Sequence, residues 1–190
     1  TEKGEIVREQ FEIMNHLYED INVKHYVIMP NHIHMLIQAS NRVMLAKFMD
    51  HCTSAFAKEY NFHIGRKGGV FKKRFGSAPK IGQKIIRTAI AYLFNNPVEK
   101  HICSKAEEYK WNFLAYAVNS HPFSPTIPIR QLRPALKQAI KEVKSTRELN
   151  KHLKYAQLRR MMAKLTKTEK DILTDYIISA YNPFSYEQLI

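Results

Sequence analysis

Val23-Lys24-His25-Tyr26-Val27-Ile28-Met29-Pro30-Asn31-His32-Ile33-His34-Met35-Leu36-Ile37 is the stretch on which the fold of this chain turns. Two apolar runs rich in β-branched residues flank a Pro-Asn pair, which is how a hairpin between two strands is written. The runs predict strands at about 22–29 and 32–38. Side chains alternate between the faces of a strand, so His32 and His34 project together while Ile33 points the other way. Two imidazoles side by side can hold a divalent metal. A bare His-x-His is equally a turn histidine next to one on a half-exposed strand, and the chain has nine histidines.

Outward from the hairpin, composition narrows the field. The 190 residues suffice for one full core with a helical appendage. Hydrophobic residues at 45% and charged residues at 25% are ordinary for a soluble protein. No apolar run approaches the roughly 18 residues of a membrane span, and no signal peptide is visible. Cys52 and Cys103 lack metal-binding spacing and fit free thiols in a reducing compartment. The expected location is the bacterial cytoplasm, in association with the nucleoid. A net charge of +13 points to a polyanion such as nucleic acid. The chain begins at Thr1 rather than methionine, which is the pattern of a trimmed N-terminus.

Before the hairpin, Ile6, Phe11, Ile13, Met14 and Leu17 predict a helix over about 3–19. After it, Ala39-Ser40-Asn41 offers a cap for a helix from about 42 to 60, with Val43, Leu45, Phe48, Met49, Cys52, Phe56 and Tyr60 as its apolar stripe. A loop at Gly65–Gly69 carries Arg66 and Lys67. The stretch Val70–Ile81 reads as strand-like and interleaves Lys72, Lys73, Arg74 and Lys80 with Phe71 and Phe75. Cations that track phosphates, mixed with rings that stack on bases, suit single-stranded nucleic acid; solubility charges over core phenylalanines are the plain alternative. The next helix begins at Gly82 or Gln83, adds Lys84 and Arg87 to the basic set, and is predicted to stop at Pro97. Ile86, Ala89, Ile90 and Leu93 face inward, and Tyr92 and Asn96 are neighbours at i and i+4. A residue before proline is pushed out of the α region, which places Asn96 at the helix end.

Two of these motifs together carry a resemblance. Met29-Pro30-Asn31-His32-Ile33-His34-Met35-Leu36-Ile37, followed some 55 residues on by Tyr92-Leu93-Phe94-Asn95-Asn96-Pro97-Val98, resembles the REP-associated tyrosine transposases, a branch of the IS200-like, single-tyrosine HUH transposases. Tyr109–Tyr116 resembles the aromatic segment that follows in that family, although Asn112 and Phe113 stand where serines are usual. The likeness spans roughly residues 5–120. It implies an α+β fold, a ferredoxin-like antiparallel sheet with helices on one face, here followed by an α-helical C-terminal appendage. The family's first strand precedes the helix at 3–19, and no such strand is visible in this chain.

Residue by residue, the resemblance implies His32, His34 and Asn96 as metal ligands, Tyr92 as nucleophile, and Mg2+ or Mn2+ as the ion. The chemistry suits these residue types. Transesterification of a phosphodiester needs a nucleophile and stabilisation of charge on the phosphate oxygens. A phenol, with a reference pKa of about 10, needs a nearby cation or base to favour its phenolate. Three protein ligands leave coordination sites open for phosphate and water. The implied partner is single-stranded or hairpin DNA, bound along Arg66, Lys67, Lys72, Lys73, Arg74, Lys80, Lys84 and Arg87, as a monomer or a homodimer. Two other readings stay open: a catalytically silent nucleic-acid-binding protein on the same fold, and a metal-dependent phosphodiester hydrolase, for which the histidine motif lacks a companion carboxylate.

The family pattern covers a catalytic domain over 1–120. His121–Pro128 holds three prolines and reads as a linker over 121–130, and 131–190 reads as a basic helical tail. Helices are predicted at about 131–145, 147–164 and 168–180, with a fourth after Asn182. The tail reads either as a helix-turn-helix that grips a duplex stem or as an appendage packed on the catalytic domain or on a second copy of the protein.

Overall fold

The computed structural model describes residue 18, residues 20–148 and residues 155–181; the helix expected at 3–19 and the one after Asn182 lie outside the described residues. The chain is α+β, with an antiparallel hairpin followed in sequence by the described helices. The strands are β1 (Ile21–Ile28) and β2 (Ile33–Ala39), and the helices are α1 (Arg42–His63), α2 (Gln83–Glu99), α3 (Phe113–Val118), α4 (Pro134–Glu148), α5 (Tyr155–Met162) and α6 (Lys167–Tyr181). The hairpin forms where the sequence places it, with Ile28 opposite Ile33 and Val27 opposite His34, and Met29 N donating to the His32 carbonyl at 2.8 Å across the turn.

A one-residue irregularity lies in β1 between Val23 and His25, where Lys24 has no partner on β2. This bulge resets the alternation. Ile21 and Val23 before it, and Tyr26 and Ile28 after it, join the main apolar cluster, whereas Val27 and Met29 join a second cluster with Leu93 and Tyr109. On β2 the same division holds without a bulge. Ile33, Met35 and Ile37 pack on the main cluster, and Leu36 packs on the second. The far edge of β1 is occupied too: Ile28 N donates to the Trp111 carbonyl at 2.9 Å, Val27 bridges to Asn112, and Tyr109 Oη donates to the Ile28 carbonyl at 2.6 Å.

Helix α1 starts at an Asn41 cap whose side chain accepts from Met44 N at 2.9 Å, as its sequence forecasts. Its stripe buries Phe48, Met49, Cys52 and Phe56, but Val43 is exposed because it lies on the opposite side of the helix from the face that Met44, Leu45 and Phe48 turn to the core. Both cysteines are free thiols. The stretch 70–81 is not a strand: it forms no ladder with β1 or β2, and from Phe71 to Ile81 it is exposed throughout. A strand needs a partner, and a segment holding Lys72-Lys73-Arg74 and Pro79 offers neither an apolar face nor a full set of donors.

Pro97 does not end α2, which runs to Glu99 with Asn96 inside it. Proline removes one bond, to the Leu93 carbonyl, but the next turn is made good by Lys100 N to Asn96 O at 3.1 Å and Ile102 N to Pro97 O at 2.9 Å. The helix stops at His101, whose φ of 55° turns the chain out.

The proline segment and the tail share the main core. Leu132, Leu136, Ala139 and Val143 from α4 or its approach, Leu158, Met161 and Met162 from α5, and Ile172, Leu173, Ile177 and Ile178 from α6 lie in one cluster with Phe48 and Phe113. Thr166 and Glu169 exchange bonds in a capping box, so α6 begins at Lys167. Arg133 grips Glu169 with two nitrogens at 2.5 and 2.6 Å and holds that carboxyl down to about 2. Asp175, fully buried on α6, accepts from Tyr116 Oη, Ser124 Oγ and Phe123 N at 2.8, 2.8 and 3.1 Å.

His25 is 1% exposed, has no hydrogen-bond partner among the described residues, and packs edge-on to Phe94 at 4.2 Å and Phe113 at 5.8 Å. Burial lowers its pKa to about 3. The folded state therefore holds His25 neutral while the unfolded state takes up a proton below about 6.5. Its contribution is intact above that pH and drains away as pH falls from there toward 3. We expect the wild type to lose about 2 kcal/mol more than His25→Leu between pH 7 and pH 4.5, measured by denaturant unfolding at both values. Equal losses would show that this ring is not a source of acid sensitivity.

Candidate active site

The hairpin places His32 just ahead of β2 and His34 as its second residue, two apart and therefore on one face. That face is the one α2 covers, because Val27, directly opposite His34, packs with Leu93. The His32 and His34 rings lie 4.7 Å apart between centroids, nearly perpendicular. Tyr92 comes down from α2 onto the same spot, its ring 5.6 Å from that of His34. Residues 58 positions apart in the chain thus meet, and Tyr92 keeps 48% of its surface open to solvent.

Electrostatics favour a neutral ring at His34. Burial first, and the adjoining His32 second, push the pKa of His34 below its ordinary value, so its ring stays unprotonated further into the acid range than a free histidine. His32 Nδ1 lies 2.6 Å from Asn31 Oδ1. The carbonyl oxygen can only accept, so Nδ1 is the donor in this contact. This contact is the one piece of the site that sequence reading passes over. Asn31 reads simply as a turn residue, although an Asn directly before the histidine pair is the available signal.

Asn96 sits one turn beyond Tyr92, is 1% exposed, and its Oδ1 has no partner among the described residues. An amide oxygen stranded in a buried place costs free energy unless something is supplied to it. Among the described residues no group of three or more His, Cys, Asp or Glu side chains is placed to hold a metal. Of the residues expected as ligands, the structure brings His32 and His34 together, and Asn96 would add one amide oxygen to their two imidazole nitrogens, donor types that a divalent cation accepts.

The basic residues fall into two groups. Arg66, Lys67, Lys72, Lys73, Arg74 and Lys80 lie on the exposed connection between α1 and α2, and Lys84 and Arg87 lie on the exposed first turns of α2, the helix that carries Tyr92. Phe71 is half-exposed, with its ring 5.5 Å from Phe56, and Phe75 is exposed to the same extent.

Fold and site define a basic α+β protein in which a helix tyrosine is set against a strand histidine pair. Residues 3–96 match the family described as transposase IS200 like, a span that holds both histidines, Tyr92 and Asn96, and through it the chain belongs to the IS200-like transposases. A transposase acts on DNA, so DNA is its partner. No curated protein and no solved structure matches the chain. Among the described residues no helix is long and apolar enough to cross a membrane.

Proposed function

We propose that the protein cleaves and rejoins single-stranded DNA next to hairpins by transesterification, with Tyr92 as nucleophile and His32, His34 and Asn96 holding Mg2+ or Mn2+. The observation that carries this reading is the approach of the Tyr92 ring to that of His34. A bound divalent ion would supply Lewis-acid polarisation of the scissile phosphate and a positive field beside the phenol. Tyr92 Oη forms the new bond to phosphorus, the bond to the 3′ oxygen breaks, and the phenol proton is matched by the one the departing oxygen gains as a 3′-hydroxyl. The product is a 5′-phosphotyrosine. Because the phosphodiester's energy is kept in that link, the 3′-hydroxyl of another strand reverses the step and completes transfer. The exposed face of Tyr92 admits the phosphate, and the cations from Arg66 to Arg87 run along the strand that brings it.

The test is a labelled single-stranded hairpin incubated with the protein and manganese, then run under denaturing conditions. A protein-linked band is expected with metal and none with excess chelator. His32→Ala should lower its yield by at least about tenfold, since loss of a ligand costs no less than loss of a supporting contact. A yield that ignores both the chelator and the substitution would remove the metal from the mechanism.

A further inference from the structure

The ring of His32 is held by the residue before it. Pro30 and Asn31 bend the chain between the strands, and β2 begins only at Ile33, so the alternation that separates successive strand side chains does not yet apply to Asn31 and His32. Their side chains meet instead, with His32 Nδ1 2.6 Å from Asn31 Oδ1. The turn itself is closed by backbone, Met29 N to the His32 carbonyl at 2.8 Å. Asparagine is common in turns because it tolerates a left-handed backbone or bonds its side chain to a nearby backbone N–H. Neither reason holds here. Among the described residues the one non-glycine with a positive φ is His101, and the Asn31 oxygen goes to the imidazole.

We infer that Asn31 is a positioning residue of the metal site, which engages the Nδ1–H of His32 and so leaves Nε2 as the nitrogen that meets the ion. The inference rests on the reading of His32 as a metal ligand and says which of its two nitrogens binds. A neutral imidazole carries one proton, and the nitrogen without it is the one that can bind a metal. With no acceptor beside it, a ring in water passes between its two neutral forms and turns about its bond to the chain. An amide oxygen at hydrogen-bond distance selects one form and restrains that turning. This matters because two ligands must aim at one point. The His34 ring lies 4.7 Å from that of His32 and nearly perpendicular to it, and ordering a ring only when the ion arrives costs affinity. Asn31 and His32 are both exposed, which puts the effect at the lower end of the range for such supporting contacts.

The experiment uses the full chain without DNA, so that no cleavage enters the result. Long-range proton–nitrogen NMR of the metal-free protein at about pH 8, above the ordinary histidine pKa of about 6.5, reads which nitrogen of His32 carries the proton. His32→Ala identifies the signal. The wild type should show the Nδ1–H form in excess, and Asn31→Ala should lose that excess. Mn2+ binding is then followed through the electron paramagnetic resonance of the free ion. Asn31→Ala should weaken it by about tenfold, whereas Asn31→Asp, which keeps an acceptor in the same place, should bind within about twofold of the wild type or more tightly. An Nε2–H ring in the wild type overturns the inference, as does Mn2+ affinity in Asn31→Ala equal to or above that of the wild type. Asn31→Asp binding as weakly as Asn31→Ala would assign the loss to the turn and overturn it too. Loss of binding in His32→Ala but not in Asn31→Ala removes this inference alone; equal binding in His32→Ala and the wild type removes the ligand reading and the inference with it.

Discussion

Tyr92→Phe should abolish the protein–DNA adduct, a drop of at least about 10³-fold, while binding the hairpin as the wild type does. The substitution removes one oxygen and keeps the ring that packs 5.6 Å from His34, so the fold and the histidine pair are left in place. The proposed reaction has no other route to a covalent product, because no second tyrosine is seen to meet the histidine rings among the described residues. Tyr109, the next tyrosine along, gives its hydroxyl to the Ile28 carbonyl, and burial pushes its pKa up, which is the wrong direction for a nucleophile. Adduct persisting in Tyr92→Phe would move the nucleophile elsewhere. Cut DNA released without any adduct in the wild type would make water the nucleophile and the protein a hydrolase.

The second large effect is structural. Asp175→Ala should lower stability by about 3–5 kcal/mol, because three buried donors from two other segments lose their acceptor together. For a chain of this length that is a fall in melting temperature on the order of 10 °C. Tyr116→Phe, which removes one of those donors along with its need, should cost only about 1 kcal/mol. The contrast is read by thermal denaturation of both variants. An Asp175→Ala protein that melts within a degree or two of the wild type would mean that the segment of Ser124 and α6 are joined by apolar contact alone.

What could be read in the sequence was what local pattern determines. Alternation, with Pro30-Asn31 between the runs, gave the hairpin; Asn41 gave the start of α1; and the i, i+4 step of Tyr92 and Asn96 gave one helix bearing both. The α+β class followed from these elements. Errors arose where a distant partner decides. Whether 70–81 is a strand depends on a neighbouring edge, and Pro97 is tolerated because of bonds made by residues beyond it. The Asp175 triad joins residues more than 50 apart, and no period of 2 or 3.6 encodes such a meeting. At the site the histidine parity was legible from pleat geometry. The meeting with Tyr92 came only from family resemblance, since nothing within either motif specifies the other.

The unpaired Lys24 bears on how this strand can change over time. Its extra residue keeps Ile21 and Val23 in the same interior as Tyr26 and Ile28, while Val27 faces the other. Exchange of one aliphatic residue for another leaves that arrangement alone. Loss of the codon for Lys24 joins Val23 to His25 opposite Ile37 and Leu36, which are already adjacent, so the bulge disappears and each neighbour keeps its side. The strand thus tolerates a change of length at this one point, and elsewhere only exchanges of like for like.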